Sequence, residues 1–198
     1  MKVNIRQIYG NWDKGYVLDK HVLSSTFLGH DPSTGRAQFD TQRSEVGEEL
    51  FQLKYRHDKT KVGTLAKQVV DSLLPLYGEE VSVIVPMPAS NVRSWQPVTE
   101  LANEIGKLTQ ALTLDNLIVK APASAGVGQL KDMSTKAEKE AALANRFTIN
   151  GRITNEGRWN FLLVDDLFDT GASMEAAAAA LRTYTKVKNI YVAALTWK

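Results

Sequence analysis

The stretch FLLVDDLFDTGASM, residues 161–174, decides how this chain is read. Its second half, LFDTGAS (167–173), carries the Asp-Thr-Gly signature of an aspartic protease. Its first half, FLLVDD (161–166), reads as a buried strand ending in two acids. The protease reading fails on its surroundings. Such an enzyme needs two aspartates that share a proton, hence a second Asp-Thr/Ser-Gly or a symmetric dimer, and the sequence holds no second copy. Aspartic proteases are also all-β, whereas here the motif runs into MEAAAAALR (174–182), with five consecutive alanines, the best helix former.

The alternative accommodates both halves. Phe161 to Val164 predict a strand buried on both faces, and ligands of open parallel sheets bind beyond the carboxyl ends of strands, where Asp165 and Asp166 fall. Leu167 to Ser173, with Asp169 and Ala172 among them, predict a tight turn into a helix. The unpaired N–H groups there and the positive end of the helix dipole form an anion site. Gly171 allows close approach of the backbone, and Thr170 and Ser173 add hydroxyl donors. Two acids would repel a bare phosphate, but they suit a ligand that carries hydroxyls beside its phosphate. A sugar phosphate has both features.

Working outward, segments 81–88 (VSVIVPMP), 116–120 (NLIVK), 159–166 and 189–197 (NIYVAALTW) read as apolar strands. Segments 65–77, 97–108 and 171–184 read as helices. In the first, Leu65, Val69, Val70, Leu73 and Leu74 form one stripe; the second opens on Pro97. Thr135 and Glu138 form a capping box that opens a helix through about residue 145. This alternation predicts an α/β fold with a mainly parallel sheet flanked by helices over residues 47–198. Residues 1–46, with partial alternation at 15–23 and 36–42, predict a small β-rich hood of short antiparallel strands.

Composition sets the outer bounds. The 198 residues are 43% hydrophobic and 23% charged, ordinary for a globular domain. No cysteine is present, which removes disulfides and thiolate metal sites, and the three histidines lack metal-ligand spacing. A net charge of +2 with dispersed Lys and Arg gives no reason to expect a nucleic-acid partner. There is no signal-peptide pattern and no apolar run of membrane-spanning length, so a cytoplasmic protein without a membrane partner is expected.

The strand, acid pair and Thr-Gly turn of FLLVDDLFDTGAS resemble the phosphoribosyl pyrophosphate (PRPP) motif of type I phosphoribosyltransferases. The segments GEELFQLKYRHD (47–58), VIVPMPASNVRSWQPVTELANEIGK (83–107) and GQLKDMSTKAEKEAALANRF (128–147) are similar, in that order, to the ComF-like branch of that family. The resemblance implies that Asp165 and Asp166 bind the ribose 2- and 3-hydroxyls and face Mg²⁺ only indirectly, through Mg-PRPP. It implies that Asp169, Thr170, Gly171, Ala172 and Ser173 cradle the 5-phosphate. The pyrophosphate loop would be Pro88, Ala89, Ser90 and onward to Arg93, with Lys131 on a flexible loop over about 121–134. In 6-oxopurine transferases an Asp at the place of Asp169 is the general base; by its residue type it can equally be a turn-stabilising Asx residue. The reaction implied is Mg²⁺-dependent transfer of ribose 5-phosphate from PRPP to a nucleobase or other nitrogen nucleophile, in a homodimer. The alternative is a non-catalytic PRPP- or nucleotide-binding regulatory protein of competence type.

The chain departs from the ComF-like pattern in two places. The four-cysteine zinc ribbon is absent, and the Arg-Gly-Phe-Asn-Gln segment is reduced to Arg93-Ser94-Trp95-Gln96-Pro97. Lys54 and Arg56 read as helix-surface residues, Trp95 as a packing residue, and Trp12, Tyr16 and Trp197 as aromatics open to a role in base recognition.

Overall fold

The computed structural model describes residues 1–89, 94–122, 133, 135–143, 145–151 and 153–198. Strands β1 (Arg6–Gln7), β2 (Lys14–Lys20), β5 (Val83–Pro86), β6 (Leu112–Thr113), β9 (Trp159–Phe168) and β10 (Val187–Trp197) form one sheet in the order β1-β2-β10-β9-β5-β6. Only β1 is antiparallel to its neighbour. The mainly parallel α/β sheet expected from the sequence is present.

Both faces of that sheet are covered, which is why its central strands are apolar without alternation. On one face lie α1 (Glu45–Tyr55), α2 (Lys61–Ser72), α3 (Leu74–Tyr77) and α4 (Pro97–Thr109). They pack Leu50, Leu53, Leu65, Val69, Leu101 and Ile105 against Leu162 and Val164. The other face receives α6 (Ala172–Arg182) and a hairpin of β7 (Ile118–Lys120) and β8 (Phe147–Ile149), packed on Phe161 and Leu163. Helix α5 (Lys136–Leu143) joins that side through Leu143. The helix expected over 65–77 is divided. Pro75 has no N–H to continue α2, so the chain restarts as one short turn after Leu73.

Residues 1–46 divide as well. Strand β2 pairs in parallel with β10, from Lys14 opposite Tyr191 to Lys20 opposite Trp197, and antiparallel with β1 on its other side, so both belong to the main sheet. Strands β3 (Val22–His30) and β4 (Ala37–Arg43) form a separate antiparallel pair. After them Ser44 caps α1 by accepting Gly47 N–H at 2.9 Å and donates its hydroxyl to the Lys20 carbonyl at 2.6 Å. Gly47 lies against the His21 carbonyl so closely that a Cβ would stand 2.2 Å from that oxygen. The start of α1 is thereby fixed to the end of β2.

Candidate functional site

The site exists because neighbouring strands differ in length. Strand β5 ends at Pro86, opposite Val164, and its last bond to β9 runs from Met87 N–H to the Val164 carbonyl at 2.8 Å. Strand β9 continues through both acids, paired on its other side with β10 as far as Phe168 opposite Trp197. The strand expected over 159–166 is present and runs on to Phe168, so the acids lie within it rather than beyond its carboxyl end. Where β5 would have continued there is a cleft of about 420 Å³, walled by Lys54, Pro88, Ala89, Lys120, Asp165 and Asp166 among others. A second cavity of about 160 Å³ adjoins it, walled by Asp165, the turn Asp169–Ser173 and Lys139. Asp165, Leu167 and Ser173 line both.

Alternation along the strand sends the two acids in opposite directions. Phe161 and Leu163 belong to the α6 side, and Asp165 follows them; Leu162 and Val164 belong to the α1 side, and Asp166 follows them. Asp166 Oδ2 meets Lys54 Nζ of α1 at 2.8 Å, with little of either side chain exposed. Burial by itself would lower the Lys54 pKa. The charge of Asp166 and the hydrogen bond to it outweigh burial and raise it. Asp165 Oδ1 accepts the Asp166 N–H at 2.8 Å. Burial first, and the charge of Asp166 second, push the Asp165 carboxyl up to about 7. Lys120, at the end of β7, has its pKa lowered by burial first and by the Arg146 charge second. Behind Asp166, the Thr196 hydroxyl donates to the Asp166 carbonyl at 3.1 Å and lies 3.2 Å from His21 Nδ1.

The turn after the strand is built to leave backbone donors unused. Gly171 adopts φ +83°, a left-handed conformation, and a Cβ there would meet the Phe168 ring at 3.1 Å. Helix α6 begins with the Glu175 N–H bonded to the Gly171 carbonyl at 2.8 Å, and no side chain caps it. The N–H groups of its first turn are the intrinsic orphans of a helix start, and Ala172, Ser173 and Met174 line the smaller cavity. Phe168 is supported edge-on by Trp12 at 6.3 Å between ring centroids. Trp12 itself is 7% exposed, with its Nε1 donating to the Ile8 carbonyl, so it holds the turn from below and is not displayed for a base. Tyr16 is likewise engaged, against Tyr77. The Trp197 ring has the Arg6 guanidinium 4.8 Å from its centroid.

Of the residues singled out in the sequence, the structure brings together Pro88, Ala89, Asp165, Asp166, Asp169, Thr170, Gly171, Ala172 and Ser173 around these joined cavities. Ser90, Arg93 and Lys131 lie outside the described residues. Three lysines had no legible part in the site and stand in its walls: Lys54, Lys120 and Lys139. Lys54 was expected on a helix surface. It points inward because α1 is seated against the sheet by Leu50 and Leu53, one turn and one residue before it. Lys139 reaches Asp169 Oδ2 at 2.5 Å from α5, whose start shows the expected capping box: Thr135 N–H to Glu138 Oε2 at 2.9 Å and Glu138 N–H to Thr135 Oγ1 at 3.2 Å.

The sequence matches no family model and no curated protein. Solved structures with a similar course of chain include an adenine phosphoribosyltransferase at 17% identity, covering 87% of this chain and 86% of that one, with a TM-score of 0.45. The Saccharomyces cerevisiae adenine phosphoribosyltransferase, solved with an imino-altritol bisphosphate and adenine, is 16% identical over 87% of this chain and 85% of that one (TM-score 0.42). The Trypanosoma brucei enzyme, solved with AMP, pyrophosphate and ribose-5-phosphate, is 9% identical over 100% and 87% (TM-score 0.43). These are likenesses at low identity and low score.

Proposed function

We propose that the joined cavities bind PRPP and that the protein is a phosphoribosyltransferase acting on a nucleobase or similar nitrogen nucleophile. One observation carries the reading. An acid pair and a helix-start anion cradle line two adjoining cavities that have Asp165, Leu167 and Ser173 in common. The 5-phosphate takes the orphan N–H groups of α6 with the Thr170 and Ser173 hydroxyls. The ribose hydroxyls donate to the carboxylates of Asp165 and Asp166, each of which already has one oxygen anchored by the protein. Lys54 and Lys120, flanking the acids, face the diphosphate side beside Pro88 and Ala89.

Among the described residues no group of three or more His, Asp or Glu side chains could hold a metal by itself. A Mg²⁺ would be carried by the diphosphate, and Asp165 and Asp166, hard oxygen donors in the wall of the cleft, would face it through Mg-PRPP. When bound, the ion offsets the charge of the leaving diphosphate. In the transfer, the acceptor nitrogen forms a bond to C1 of the ribose as the C1–oxygen bond to diphosphate breaks, through an oxocarbenium-like state. The acceptor's N–H proton passes to a base, for which Asp169, exposed at the lip of the cradle, is the candidate.

Calorimetric titration with PRPP and Mg²⁺, followed by a pyrophosphate-release screen over a panel of bases, tests this. Binding with base-dependent release is expected; in Asp165→Asn/Asp166→Asn binding is expected to weaken strongly and release to be lost. Failure to bind millimolar PRPP overturns the reading. Binding without release from any base would make the protein a PRPP-binding regulator.

A further inference from the structure

We infer that Lys139 is a second-position phosphate ligand, parked on Asp169 while the cradle is empty and transferred to the phosphate when it fills. The inference rests on the cradle reading above and adds a residue and a competition to it. Lys139 is the one cation that lines the smaller cavity among the described residues. It comes from α5, an element remote from the motif in sequence, with its side chain only 12% exposed. Its partner Asp169 is 40% exposed and sits at the first position of the turn whose later residues present the backbone donors. A dianionic phosphate in the cavity carries more charge than one carboxylate and offers more acceptor oxygens, so it outcompetes Asp169 for the ammonium.

The arrangement is more than a helix-docking contact. Helix α5 already has such a contact one turn away, where Lys136 meets Glu175 of α6 at 2.8 Å. Lys136 does not line the cavity; Lys139 does. Two lysines of one short helix thus reach the same neighbouring segment, and only one of them faces the anion site. Filling the cradle also leaves Asp169 without its lysine, so the exposed carboxylate becomes available at the moment the sugar phosphate is in place. Phosphate occupancy and the freedom of Asp169 are then coupled through one side chain.

Titration of the full chain with inorganic phosphate and with ribose 5-phosphate, at fixed low ionic strength, tests this. Lys139→Ala is expected to weaken both ligands about tenfold, as for loss of a charge-assisted hydrogen bond. Asp169→Asn is expected to tighten both severalfold, because the competing carboxylate is gone. Lys136→Ala, which removes the parallel contact without touching the cavity, is expected to leave both unchanged. If Lys139→Ala and Lys136→Ala weaken binding equally, or if Asp169→Asn weakens it, Lys139 only docks α5 and the inference is wrong while the cradle stands. If the unaltered protein binds neither ligand, the cradle reading itself falls, and this inference with it.

Discussion

At each end of the cleft a lysine from a helix meets an aspartate of the motif, and the two pairs are built oppositely. At the acid-pair end, Lys54 and Asp166 have side-chain exposures of 28% and 15%. At the end formed by the Gly171 turn, Lys139 and Asp169 have 12% and 40%. Where the carboxylate is the covered partner, the pair is part of the wall, since removing the lysine would strand a charge away from water. Where the carboxylate is the exposed partner, water can take over its solvation, and the pair can open. The same two residue types thus make one pair fixed in the wall and one that can open, and burial of the acid decides which.

The largest effect that would sharpen this contrast lies in the acids. Asp165→Asn/Asp166→Asn is expected to reduce PRPP affinity by about a hundredfold or more, read by calorimetry, since two charged acceptors are lost together. Next is the contrast itself. Lys54→Met is expected to destabilise the fold by about 2 kcal/mol in urea unfolding, as for a broken, mostly covered pair. Lys139→Met should cost well under about 1 kcal/mol. Equal losses would break the comparison.

A pH series reads Asp165 together with the neighbouring Asp166 and Lys54 charges. Its folded-state pKa is raised to about 7, chiefly by burial. Between the ordinary aspartate value of about 3.9 and that point, the folded chain keeps a proton that the unfolded chain has released. The stabilising contribution is therefore complete below the unfolded value and lost as pH rises through about 7. Asp165→Asn is expected to flatten that fall, leaving the variant the more stable of the two at pH 8 in urea unfolding. PRPP affinity of the unaltered protein is expected to rise through the same window, as the carboxylate form becomes the acceptor.

Smaller effects test the Gly171 turn and the helix that carries Lys139. Gly171→Ala combines a left-handed backbone with a Cβ 3.1 Å from the Phe168 ring; a loss of about 1–2 kcal/mol is expected in thermal or urea unfolding, with weaker phosphate binding. Thr135→Ala removes half of the capping box of α5 and is expected to cost about 0.5–1 kcal/mol of local stability, seen as faster amide exchange in α5.

What could be read from the sequence was what is local. The strand, the turn at Gly171, the α6 start and the capping box at Thr135 each depend on residues within a few positions, and each is in place. The acid pair was legible for the same reason. Its setting was not: how far β9 runs depends on β10, some thirty residues on, whose pairing holds it to Phe168. Strand β2 beside β10 joins residues about 175 apart, and nothing in its own partial alternation distinguishes a parallel neighbour from an antiparallel one. Lys54 and Lys139 were illegible for a related reason. A lysine on an amphipathic helix is ordinarily solvated, and only the seating of α1 and α5 turns these two inward.

The end of β5 at Pro86 bears on how such a protein can change over evolutionary time. The depth of the cleft is set by how many residues β5 has fewer than β9, and the chemistry is set by which residues β9 carries past that point. These are two separate inheritances on two separate segments. Shifting the stop by one residue on 83–88 would resize the chamber without altering an acid, and exchanging the acids would change the ligand without altering the chamber. A scaffold with its dimensions and its reactivity written in different places can diversify in one while conserving the other.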